Sequence, residues 1–217
     1  MPKAYINALE EKQQTNYSYY KIYALGEFCS LDKLVFSNWE TADFDNREIN
    51  GVLLVGLDFG FVNDTTALID SLLDEENKRL YIFKEWGATG KTNKEIADVI
   101  TALGFSKSII IADSAEPKSI EELRRDGISR IRESTKGKDS IIHGIQKLQN
   151  YKIIVHPTCE KIITEFENYS WKKDKQSGEY INQPIDEFNH FIDALRYSLQ
   201  CVKTNKIKTI NKAVLGI

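Results

Sequence analysis

Two aspartates end apolar runs in this sequence. Asp58 closes Val52-Leu-Leu-Val-Gly-Leu57, and Asp113 closes Ser108-Ile-Ile-Ile-Ala112. A third, Asp193, lies on a late amphipathic segment with His190 three residues before it, close enough on a helix to share a surface. Carboxylates at neighbouring strand ends of one sheet edge can converge, because α/β folds place ligands there. Three carboxylates from separate elements are the donors that hard divalent cations require: oxygen ligands, negative charge, and positions left for water and phosphate. Paired cations at such a site can drive in-line displacement at phosphorus. Any one of these aspartates taken singly also fits a turn former or a helix N-cap.

The elements that must position these groups are legible in outline. Val52 to Phe59 is a short continuous apolar run, the pattern of a strand buried on both faces. Thr65 to Leu73 and Arg79 to Trp86, separated by the turn-like Asp74 to Lys78, complete an expected antiparallel meander. A helix is expected over Asn93 to Leu103, stopped by Gly104. A buried strand follows, then a helix (Ser119 to Arg125), a strand (Ser129 to Glu133), a helix (Asp139 to Asn150), a strand (Lys152 to His156) and a helix (Cys159 to Tyr169). The sheet is therefore expected to be mixed, antiparallel early and βαβ later. Trp171 to Gln183, with Gly178 inside it, reads as an inserted β-hairpin. Phe188, Ile192, Leu195, Leu199 and Val202 then repeat at helical spacing over Glu187 to Val202, leaving His190, Asp193 and Tyr197 on the other side.

Composition bounds the rest. The 217 residues are 41% hydrophobic and 28% charged with a net charge of −3, which suits one sizeable α/β domain with an appendage. No apolar run approaches the roughly 20 residues of a membrane span, and the first residues lack a signal peptide's apolar stretch. Cys29, Cys159 and Cys201 form no CxxC, which excludes a zinc ribbon or a disulfide framework. Residues 1–50 are aromatic-rich and acidic without a sustained period, so they read as an extension with a boundary near Arg47 to Asn50. Residues 51–203 form the expected domain, and 204–217 a basic tail.

Four segments carry a resemblance. GLDFGFVNDTTAL (56–68), IIADSAEPKSIEEL (110–123), STKGKDSIIHGIQKL (134–148) and DEFNHFIDALRY (186–197) together resemble the nuclease domain of the large terminase subunit of tailed bacteriophages. The resemblance implies an RNase H-like α/β fold, a mixed sheet flanked by helices with the hairpin inserted before the last helix. It implies that Asp58, Asp113 and Asp193 are metal-binding aspartates for two Mg²⁺ or Mn²⁺ ions, with accessory roles for Asp64 and His190. It further implies cleavage of double-stranded DNA during genome packaging in the host cytoplasm, with a portal protein and a small terminase subunit as partners.

DNA contact needs positive charge near the carboxylates. Arg124 to Lys138 holds six basic residues against Asp126 and Glu133. Lys136 and Lys138, with Lys172 and Lys173 on the hairpin, are the expected phosphate contacts; Arg124 and Arg125 fit a solvated helix face equally well. Complete large terminases begin with an ATPase, whereas this sequence shows no phosphate-binding loop of that kind. Its nearest candidate, Gly87-Ala-Thr-Gly-Lys-Thr92, has Glu85 where the first glycine is required and reads as a turn and helix start. Residues 5–39 resemble the stretch linking such an ATPase to the nuclease. A junction resolvase or another RNase H-like nuclease, and a non-catalytic packaging docking module, remain as alternatives at this point.

Overall fold

The computed structural model describes residues 33–60 and 64–202. Its centre is a seven-stranded mixed sheet. The strands are β1 (Trp39–Thr41), β2 (Val52–Asp58), β3 (Thr66–Asp74), β4 (Arg79–Ala88), β5 (Ile110–Ala112), β6 (Ile131–Glu133) and β7 (Lys152–Val155). Their spatial order is β1-β7-β4-β3-β2-β5-β6. The β2-β3-β4 meander is antiparallel, and the flanking pairs β2/β5, β5/β6, β4/β7 and β1/β7 are parallel. The expected mixed, RNase H-like architecture is thus the observed one.

Helices cover both faces of the sheet: α1 (Asn93–Ala102), α2 (Pro117–Arg125), α3 (Ser140–Leu148), α4 (Glu160–Asn168) and α5 (His190–Ser198). Alternation along the strands divides their apolar side chains between two cores. Val55, Leu57, Leu68 and Ile110 pack on Ile96 and Ile100 of α1 and on Leu123 of α2. On the other face Leu54, Ile69, Ile82 and Val155 meet Phe166 of α4 and Ile192 of α5. A fully buried side chain of this size contributes about 1.5–3 kcal/mol, so both layers hold the sheet. A hairpin of β8 (Trp171–Lys173) and β9 (Tyr180–Pro184) forms a separate two-stranded sheet, anchored by Trp171, which is buried in the second core.

Two differences from the sequence reading have physical causes, and one open alternative is decided. The segment assigned to an extension contributes to the packed unit: β1 pairs with β7, and Val35 and Phe36 are buried in the second core. Residues 33–41 of that extension thus pack on the domain that follows it; residues 1–32 and the basic tail fall outside the described residues. The last helix starts at His190 rather than Glu187, because Phe188 adopts a left-handed φ of +57° and its ring is exposed rather than packed. Arg124 turns back to the carbonyl of Ile131, and Arg125 meets Glu121, so this pair serves its own neighbourhood.

The lysine- and glycine-bearing turn before α1 is a helix start. Thr92 and Glu95 form a reciprocal capping box, the side chain of each accepting the other's backbone N–H.

Candidate active site

Parallel pairing of β2 with β5 sets Leu57 beside Ala112, and the N–H of Asp113 donates to the carbonyl of Leu57 at 3.1 Å. Two strand ends carrying carboxylates are thereby side by side. Helix α5 brings the third group by lying unusually close to β2: a Cβ at Gly56 would collide with the backbone of Ala194. Gly56 is two residues from Asp58, and Ala194 follows Asp193. One open cleft of about 750 Å³ is lined by Asp58, Asp64, Asp113, His190 and Asp193, together with Lys136. All five residues expected to be catalytic, and one expected phosphate contact, line this cleft.

Electrostatics there are strained. Burial pushes the Asp58 carboxyl up to about 6; the hydrogen bond from His190 opposes this, and the charges of Asp193 and Asp113 add to it. Asp193 is also raised, first by burial, with Arg196 pulling it back. His190 Nδ1 lies 3.2 Å from Asp58 Oδ2, and that contact raises the imidazole above its ordinary range. Its Nε2 is 3.9 Å from Asp64, whose side chain is otherwise exposed.

Each of the three aspartates is engaged by a basic group. Asp58 faces His190, Asp113 pairs with Lys136, and Asp193 Oδ1 accepts a hydrogen bond from Arg196 Nε at 3.1 Å, with Nη2 of the same ion pair 2.9 Å away. Among the described residues no trio of Asp, Glu, His or Cys side chains already has the spacing to grip an ion. The donor set nonetheless suits Mg²⁺ or Mn²⁺: hard oxygen ligands, largely buried, on an open cleft, with surplus negative charge that a cation relieves. A divalent ion would compete with Lys136, Arg196 and His190 for these same oxygens.

The remaining expected contacts divide. Lys172 lines an adjoining cleft of about 710 Å³ between α3 and the hairpin, which shares Ser140, Ile141 and Asp193 with the first. Lys138 is exposed and Lys173 sits over the ring of Tyr180, and neither lines the two clefts.

The sequence model described as "Terminase RNAseH like domain" matches residues 58–201. The chain belongs to the terminase RNase H-like domain family. It is 33% identical over 213 residues to "Terminase, large subunit" of Bacillus phage SPP1, and 28% identical over 206 residues to "PBSX phage terminase large subunit" of Bacillus subtilis. These alignments take in 92% of this chain in both cases, but 49% and 47% of the relatives. The chain thus spans about half the length of the curated relatives it matches.

Among solved structures, the SPP1 g2p large terminase nuclease domain with bound Mn superposes with a TM-score of 0.72 at 32% identity, covering 77% of this chain and 98% of that one. A large terminase from a thermophilic bacteriophage, at 22% identity and a TM-score of 0.67, covers 89% of this chain and 51% of that one. It shows likeness of fold alone.

Within this terminase domain, groups that sequence reasoning missed hold the site in place. Glu165 of α4, buried, accepts the N–H groups of Phe191 at 3.1 Å and Ile192 at 2.9 Å, taking up two orphan donors of α5. Glu85 of β4 does the same for α4, accepting from Lys161 at 2.8 Å and Ile162 at 2.9 Å. Two carboxylates from other elements therefore cap two successive helices, and the second helix carries His190 and Asp193. No local signal marks these caps, since Glu165 lies 26 positions before Phe191. Arg196 was accessible to sequence reasoning: an acid and a base at i and i+3 on a helix are neighbours. Its side chain is buried, and a Cβ on Gly144 of α3 would strike it, so α3 packs directly onto the arginine.

Proposed function

We propose that this chain is a metal-dependent endonuclease domain that hydrolyses phosphodiester bonds of double-stranded viral DNA during genome packaging in the host cytoplasm. The observation that carries the reading is the convergence of Asp58, Asp113 and Asp193, from two strand ends and one helix, on a single cleft. Family membership and the relative solved with Mn add support. Asp58, Asp113 and Asp193 would hold two Mg²⁺ or Mn²⁺ ions, which when bound activate the attacking water and stabilise the leaving oxygen.

The chain's own groups do the rest. Lys136, paired with Asp113, sits where an entering phosphate would draw it off the carboxylate. His190, held at Nδ1 by Asp58, keeps a proton beside the cleft with Nε2 toward Asp64. Lys172 in the adjoining cleft would neutralise a flanking phosphate, with Lys138 and Lys173 further out. These are contacts to the backbone and carry no base readout. A portal protein and a small terminase subunit are the partners the family suggests.

The test is cleavage of plasmid and linear duplex in Mn²⁺ and Mg²⁺ by the wild type and by Asp58→Asn, Asp113→Asn and Asp193→Asn. Mn²⁺ binding is followed separately by calorimetry. Each variant should lose cleavage and weaken Mn²⁺ binding while melting as a folded protein. Full cleavage by Asp58→Asn in Mn²⁺ would overturn the assignment, and preference for four-way junctions over linear duplex would replace the substrate.

A further inference from the structure

We propose that Phe188 and Ile141 form an apolar wedge that engages the DNA duplex beside the scissile phosphate and opens the step being cut. The proposal rests on the nuclease reading above.

Five large hydrophobic side chains among the described residues are prominently exposed. Two of them, Phe188 at 41% and Ile141 at 45% exposure, line the same cleft as the aspartates. Ile141 stands in the first turn of α3, and Phe188 two residues before His190 at the entrance to α5. They come from different elements, so neither exposure follows from the other.

The Phe188 backbone makes its exposure costly. By spacing, Phe188 belongs to the apolar series of Ile192 and Leu195, which face the core. Instead its φ of +57° ends the helical path and turns the ring into the cleft. A bulky residue seldom adopts this conformation, and such outliers gather where function holds them. Here both an apolar burial and a relaxed backbone are forgone at the mouth of a carboxylate cleft.

The chemistry of the surroundings selects the occupant. A molecule that fills this cleft against both side chains also meets Asp58, Asp113, Asp193 and Lys136, which line it too. With divalent cations on these carboxylates, as proposed above, such a molecule presents phosphate to the floor, past Asp186 and Glu187, and apolar faces to Phe188 and Ile141. A nucleic-acid strand does both, since its bases and sugar C–H surfaces flank each phosphate. Apolar side chains inserted at a base step unstack it, and the enzyme must supply that unstacking energy when the DNA is paired.

The experiment uses a duplex carrying a short mismatched bubble, with cuts mapped along the strand in Mn²⁺. Phe188→Ala should reduce cuts in paired DNA by about tenfold and leave cuts in the bubble within about twofold of wild type, because the bubble is already unstacked. Phe188→Trp should restore paired-DNA cutting. Phe188→Gly, which removes both ring and strain, should melt no lower than wild type yet cut paired DNA as poorly as Phe188→Ala. Mn²⁺ affinity by calorimetry should be unchanged throughout.

Equal cutting of paired and bubble DNA by Phe188→Ala, whether both are lost or both retained, refutes the wedge alone. A wild type that cuts neither refutes the nuclease reading, and the wedge falls with it.

Discussion

The backbone of Ala194 occupies the space that a side chain at Gly56 would need. That approach lets α5 lie directly on β2 and brings Asp193 to the same cleft as Asp58. Gly56→Ala should cost about 3 kcal/mol or more, because backbone rather than a movable side chain must give way. Urea unfolding would measure the cost. If the variant folds, its Mn²⁺ affinity should fall although no carboxylate has been altered. Unchanged stability and affinity would mean that the close approach has no structural consequence.

Glu165 holds the start of the same helix by accepting two of its N–H groups. Burial pushes this carboxyl up to about 7, while the bonds from Ile192 and Phe191 pull the other way. Glu165→Gln keeps one acceptor and turns an NH₂ group toward a donor, so about 1–3 kcal/mol of stability should be lost. Amide exchange at Phe191 and Ile192 should quicken more than at the centre of the sheet. Exchange that accelerated equally everywhere would argue for general destabilisation instead of a helix cap.

Asp70 of β3 is fully buried, and neither of its carboxylate oxygens has a hydrogen-bond partner among the described residues. It sits at a register shift in the β3/β4 pair, opposite Lys84. Burial pushes its pKa up to about 8, with Lys84 lowering it in part. An unfolded Asp titrates near 3.9, so between about pH 4 and 8 the native chain holds a proton that the unfolded chain has released. Stability should therefore fall as pH rises through that window and level off above it. Asp70→Asn should match wild type near pH 4, exceed it by on the order of 5 kcal/mol at pH 8, and show a flatter profile. Asp58 and Glu165, also raised, leave a residual slope of the same sign. Identical profiles for variant and wild type would sink the account.

Much of the candidate site was legible in the sequence. Apolar runs ending in Asp58 and Asp113, and the helical spacing of His190 and Asp193, are local patterns, and local patterns survive in one dimension. So do the meander and the hairpin, whose turns lie between consecutive strands. β1 escaped notice because a three-residue edge strand pairs with β7 more than a hundred positions away. The Glu165 and Glu85 caps escaped because each carboxylate lies far from its helix in the chain, 26 positions from Phe191 and 76 from Lys161.

Residue types and spacing alone determined the mixed sheet, the three acidic candidates and the chemistry they suit. Only the tertiary structure decided that β2 and β5 lie parallel side by side, that α5 descends onto Gly56, and that Phe188 turns outward into the cleft. The first two depend on through-space contacts between distant segments and the third on one backbone angle, and neither leaves a periodic trace in the order of residues.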